Sequence, residues 1–215
     1  MTTSPHSPHT LKAGIVLLDP VTTQISRVVV LQYNPDQLTR TLQVQATSGE
    51  AADRSEALRL KGAPVETFKL EAELDATDQM ETGDPRTLQF GIFPELSALE
   101  SLITPASTQL SDGESLLRRG AVEIAPMEAP LALFVWSVHR VVPVRVTEFS
   151  VTEEAFDAAL NPIRAKVSLG MRGLSVNDLG FNHRGGALFM SYLRKKEQLR
   201  SPSGSLLDTG LKELP

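Results

Sequence analysis

The sequence predicts an α+β fold made mainly of antiparallel strands. Three observations carry this. Residues 67–76 alternate without a break, Phe68, Leu70, Ala72, Leu74 and Ala76 against Thr67, Lys69, Glu71, Glu73 and Asp75, the period of a strand with one buried face. Ile163, Ala165, Val167, Leu169 and Met171 alternate in the same way against Arg164, Lys166, Ser168, Gly170 and Arg172. The strand-like segments fall in two runs with a helical stretch between them, which points to a sandwich or barrel rather than a parallel sheet.

Each element has its own signal. Residues 1–10, MTTSPHSPHT, are rich in Ser, Thr, Pro and His and read as a flexible arm. His6 and His9 lack neighbouring ligands, so a tail is the better reading than a metal grip. Leu11–Asp19 is an apolar strand ending at the turn signal Asp19-Pro20. Arg27–Tyr33 is a β-branched run closed by Asn34-Pro35. In Thr39–Ala46, Leu42, Val44 and Ala46 alternate with Thr41, Gln43 and Gln45, a strand with one wet face. Residues 47–61 are polar and weakly patterned, a long surface loop.

Pro85–Thr104 reads as a helix. Asp84 and Pro85 make an N-cap and first-turn pair, and Leu88, Ile92, Leu96, Leu99 and Ile103 recur at helical spacing. Pro94 divides it into a short first turn and a main helix, and Pro105 ends it. Ser107–Met127 is a second weakly patterned stretch. Leu131–His139 is a buried strand. Val142, Val144 and Val146 form the next, and the face switch before Phe149 and Val151 calls for a bulge. An acidic, turn-prone insert follows, before the strand through Ile163. A closing helix, about Gly186–Leu199, carries Leu188, Phe189, Tyr192, Leu193 and Leu199. The expected organisation is an arm (1–10), one domain (11–199) and a tail (200–215).

Composition narrows the function. The 215 residues carry a net charge of −5, so no general nucleic-acid affinity is expected. No cysteine is present, which excludes disulfides and thiolate zinc sites. The first ten residues lack the apolar core of a signal peptide, and no apolar run approaches the roughly 20 residues that span a bilayer. A protein outside the membrane, and not exported by the general secretory route, is the expectation.

Candidate chemistry is sparse. Glu73, Asp75, Asp78, Glu81 and Asp84 are oxygen-rich but miss the spacing of a calcium loop, and read as a solvated strand end leading to a helix N-terminus. His139 and His183 accompany neither G-x-S-x-G nor H-E-x-x-H, so no enzyme is expected. Gly185-Gly186 lacks a Walker pattern and reads as a helix entry. Arg194, Lys195, Lys196 and Arg200 make a basic patch with three readings: complementing the helix dipole, docking on an acidic surface, or binding nucleic acid.

Five segments together resemble the tube-protein domain of contractile injection systems, assemblies related to phage tails. They are LQYNPDQLTRTLQ (31–43), GAPVETFKLEAELDATD (62–78), FGIFPELSALESLI (90–103), PLALFVWSVHRVVPVRVTEFSVTEEAFDAALNPIRAKVSL (130–169) and LFMSYLRKKEQL (188–199). The resemblance implies two packed β-sheets in a small barrel-like unit with a side helix and a C-terminal helix. It implies a homo-hexameric ring of the baseplate–tube adaptor, or tube-initiator, branch, set between the spike hub and the first tube ring. Two departures stand out: the LysM module that many members carry after the closing helix is expected to be missing, and Trp136-Ser137 stands where the resemblance implies Trp-Gly. The implied partners are the inner-tube protein, the spike or hub protein and other baseplate proteins, with no nucleic acid, membrane, cofactor or metal. The implied location is a particle assembled in the cytoplasm and open to release from the cell.

The insert bears on such a ring. Glu153, Glu154 and Asp157 are acidic, while Ala155, Phe156 and Leu160 are apolar. Burying a Phe stabilises by about 1.5–3 kcal/mol, so Phe156 needs a pocket, on its own domain or on a neighbour. In a head-to-tail ring every copy inserts an arm and receives one. The expected inter-subunit contacts are Glu153, Glu154, Phe156, Asp157, Leu160, Asn161, Pro162 and Arg164, and Arg194, Lys195 and Lys196 are expected to dock adjoining layers together with residues 47–61 and 107–127. The alternatives within the family are the main inner-tube subunit and a cap-end adaptor. The alternative of another class is a small β-barrel binding an apolar ligand or a carbohydrate, though with one Trp and two Tyr it is poor in stacking rings.

Overall fold

Alternating apolar side chains put one face of each strand inside, and the strands join edge to edge. The computed structural model describes residues 11–19, 22–46, 58–118 and 129–200. Its strands are β1 (Gly14–Leu18), β2 (Ile25–Val30), β3 (Leu38–Gln43), β4 (Val65–Asp75), β5 (Leu131–Ser137), β6 (Arg140–Phe156) and β7 (Pro162–Gly173). Its helices are α1 (Thr77–Glu81), α2 (Pro85–Phe90), α3 (Phe93–Glu100), α4 (Ser107–Arg118), α5 (Val176–Leu179) and α6 (Arg184–Gln198).

The strands form one seven-stranded sheet in the order β2-β1-β5-β6-β7-β4-β3, every pair antiparallel. It is a single sheet rather than two, and it curls. Phe68 on β4 and Phe134 on β5 are separated by β6 and β7 in the order, yet their rings lie 5.4 Å apart. The corner is turned by β6, whose first half pairs with β5 and whose second half pairs with β7. The expected bulge is there, between Val146 and Glu148.

The ladder does not close. Among the described residues β2 and β3 end the sheet, each paired on one side only. Where β3 stops covering β4, a side chain substitutes for a strand: the Gln32 amide donates to the Asp75 carbonyl at 2.6 Å and accepts from the Asp75 amide at 2.9 Å. The interior is filled by Ile15, Phe68, Phe134, Val167, Leu169 and Met171, all buried, and α3 adds Leu96 and Leu99.

Several expectations are corrected. Leu42 and Val44 are 40% and 66% exposed, so β3 lacks the dry face its alternation suggested. An edge strand has one neighbour, and among the described residues nothing covers Leu42 and Val44. The division expected in the helix at 85–104 is there, with α2 ending at Phe90, Gly91 turning the chain at φ 57° and α3 restarting around Pro94, but α3 stops at Glu100, short of Thr104. Asp84 does cap α2, accepting from the Thr87 amide at 2.9 Å, and Pro94 opens α3. The break turns Leu88 and Ile103 outward and buries Thr87 instead. Part of the weakly patterned 107–127 stretch is helix α4. The arm at 1–10, residues 47–57 of the 47–61 loop, residues 119–127 of the second weakly patterned stretch and the tail beyond 200 fall outside the described residues.

The largest correction concerns the acidic insert. β6 continues through it to Phe156, with Glu153 opposite Ala165, Ala155 opposite Arg164 and Phe156 opposite Pro162. Only residues 157–161 form the turn. Thr, Val and Phe between 149 and 156 favour a strand, and exposed carboxylates are tolerated where the outer face is wet.

Candidate assembly surfaces

The β6–β7 turn is built from its own side chains. The Asp157 carboxylate accepts the amides of Ala159 at 2.7 Å and Asn161 at 2.8 Å, and the Asn161 side-chain amide donates back to it at 2.8 Å. Hydrogen bonds from the Asn161 side chain, then from backbone amides, hold the Asp157 carboxyl below its ordinary value. The same Asn161 amide reaches the Gln89 carbonyl at 3.3 Å, tying the turn to α2. Pro162 is buried, and its carbonyl accepts the Ile92 amide at 2.9 Å. Gly91 is required beside it, because a Cβ there would stand 2.1 Å from that oxygen.

The expected contact residues therefore divide. Asp157, Asn161 and Pro162 build the turn and seat it on α2 and α3. Glu154 pairs with Lys166 at 3.2 Å, and Arg164 pairs with Asp75 at 2.9 Å. Burial by itself raises the Asp75 carboxyl, but hydrogen bonds from Thr77 and Arg164 outweigh it and hold the group below its usual value. Glu153, Phe156 and Leu160 are left facing solvent, with Phe156 47% and Leu160 76% exposed. Leu160 holds φ at 65°, a left-handed conformation in which a bulky side chain is strained.

The basic patch divides too. Lys195 donates to the Val138 carbonyl at 2.9 Å. Lys196 lies 3.5 Å from Glu66 and 4.6 Å from the centre of the Tyr192 ring, which it overlies. Glu66 is buried on β4 and also meets Arg40 of β3 at 3.3 Å and the Tyr192 hydroxyl at 3.1 Å. Burial and the Glu66 carboxylate push the Tyr192 hydroxyl up to about 12. Lys196 thus ties α6 to the sheet, and Arg194 is exposed.

Two surfaces escaped the sequence reading. On β2, Ile25, Val28 and Val30 are 65%, 53% and 55% exposed. Beside β2, a cavity of about 410 Å³ is lined by Arg27, Arg86, Phe90, Phe93, Pro94 and Ser97, with no carboxylate in its wall. The available signal was in FGIFP: Phe90 and Phe93 fall off the face of Ile92, Leu96 and Leu99.

Among the described residues no group of three or more His, Cys, Asp or Glu stands close enough to hold a metal ion. His183 caps α6, its Nδ1 accepting the Gly185 amide at 3.0 Å, and Gly186 packs where a Cβ would meet the Gly180 carbonyl at 2.0 Å. Gly185-Gly186 is thus a helix entry. No described helix is long and apolar enough to cross a membrane.

No family model matches the chain, and no curated protein matches it. Among solved structures, a chain from the tail of an empty gene transfer agent particle, computed with helical refinement and C6 symmetry, is 11% identical with a TM-score of 0.30, over 75% of this chain and 90% of that one. A chain from the virion of a native gene transfer agent particle is 11% identical with a TM-score of 0.29, over 76% of this chain and 91% of that one. Both come from gene transfer agent particles, and a likeness this distant carries no argument for function.

Proposed function

We propose that the chain is a structural ring subunit of a contractile, phage-tail-like injection particle, joining the spike hub to the inner tube and starting tube growth. The observation that carries this reading is the unfinished sheet. It ends at β2 and β3, and both ends expose apolar side chains. An edge of that kind presents unpaired N–H and C=O groups along with apolar surface, a template for another chain. Two different edges on one molecule suit a head-to-tail interface, which closes into a ring when the rotation per step allows. The resemblance of 31–199 to the tube-protein domain supplies the identity of the ring and its six copies.

The mechanism is geometric. A preformed ring offers the next layer a complete complementary surface, so later subunits add without forming a nucleus of their own. Arg194 and the segments at 47–61 and 107–127 serve the layers above and below. Apart from their role in the fold, Glu154, Asp157, Asn161, Pro162 and Arg164 hold Glu153, Phe156 and Leu160 at the contact. A ligand carrier needs a hollow interior, whereas Phe68, Phe134, Leu169 and Met171 fill this one. Electron microscopy of the purified chain mixed with the tube protein of its particle tests the role. The expected result is rings of this chain at one end of each tube; tubes forming equally well without it contradict the reading.

A further inference from the structure

We propose that the β6–β7 turn of one copy seats in the groove between α2, α3 and β2 of the next copy. This rests on the ring reading and assigns its contact. The donor has no base between residues 153 and 160; of its three carboxylates Glu154 pairs with Lys166 and Asp157 closes the turn, so Glu153 is the one that reaches for the acceptor. It presents Phe156 and Leu160 to solvent. The acceptor is its chemical counterpart: two guanidiniums, Arg27 and Arg86, beside Phe90 and Phe93, which are 43% and 44% exposed. A carboxylate reaching a guanidinium forms strong, charge-assisted hydrogen bonds. Phe156 and Leu160 bring apolar surface to the two phenyl rings, where offset or edge contacts are favourable.

Placement supports the match. The turn meets the helix pair at the carboxyl end of α2, through Asn161 and Gln89. The groove opens beside Arg27 on β2, the terminal strand of the sheet, where Arg27 also donates to Ser101 at 2.7 Å. Donor and acceptor adjoin at α2 but are made of different residues, so the contact between copies is heterologous, as a head-to-tail step requires. The strained backbone of Leu160 fits the same role. Gly or Asn relaxes that φ, and Leu retains an exposed apolar side chain at the tip.

The absence of cysteine from the sequence makes the test direct. Leu160→Cys and Ser97→Cys are made in separate full-length chains, one carrying a size tag, and mixed under mild oxidation. A disulfide between the two chains then joins different molecules. The expected result is a mixed dimer, with none when Leu160→Cys is mixed with Glu197→Cys on α6. Adding Arg86→Glu to the Ser97→Cys chain should weaken the cross-link by at least about tenfold, and Glu153→Arg in its partner should restore it, as charge complementarity demands. Large species without the mixed cross-link overturn the docking and leave the ring standing. Monomers without the cross-link overturn the docking along with the ring.

Discussion

Leu160 sits at φ 65° and is 76% exposed, so burial among the described residues does not account for a leucine there. Glycine there relieves strain. Leu160→Gly should leave the isolated chain as stable or more stable, by up to about 1 kcal/mol in urea unfolding, while weakening self-association. A variant losing both would mean that Leu160 serves its own domain. Tyr192 offers a second test. Its hydroxyl is raised to about 12 in the folded chain, against an ordinary 10.0. The folded state therefore binds the proton more tightly than the unfolded state. This contribution is fully present below pH 10 and is lost as pH climbs toward about 12. Unfolding of Tyr192→Phe followed over that window should show a shallower loss of stability than the parent chain.

At the scale of elements, β4 and β7 were legible because each buries a face against a filled interior, so alternation mapped onto burial. β3 has the same alternation and no such face, because a period reports which side chains share a side and not whether anything covers them. The β6 extension was read as an insert because its carboxylates lie on the wet outer face of a strand that remains paired. Pro94 made the division of the 85–104 helix legible, but the exposure of Leu88 and Ile103 was not, because they keep helical spacing across a backbone that changes direction at Gly91. For the contact surface, the chemistry of Phe156 and Leu160 was visible in sequence. The groove proposed to receive them was not, since Arg27 and Phe93 meet only after β2 and α3 pack. β2 itself carries a prediction. Val28 is 53% exposed on the outer strand, so Val28→Lys should change folding stability by no more than about 0.5 kcal/mol. A lysine on an edge strand blocks edge-to-edge pairing, and size-exclusion chromatography should show that variant as a monomer.

At the scale of the molecule, a filled, curled sheet is combined with two edges and a turn whose apolar side chains the described residues leave uncovered. That combination fits a protein completed by copies of itself. Closure makes a distinctive claim, because a ring stops growing at one size whereas an open head-to-tail chain does not. Sedimentation velocity of the purified chain over rising concentration reads this directly. The account predicts that the 23.4 kDa monomer gives way to one discrete larger species whose size no longer changes with concentration. A monomer at every concentration, or a continuous spread of ever larger species, would contradict it.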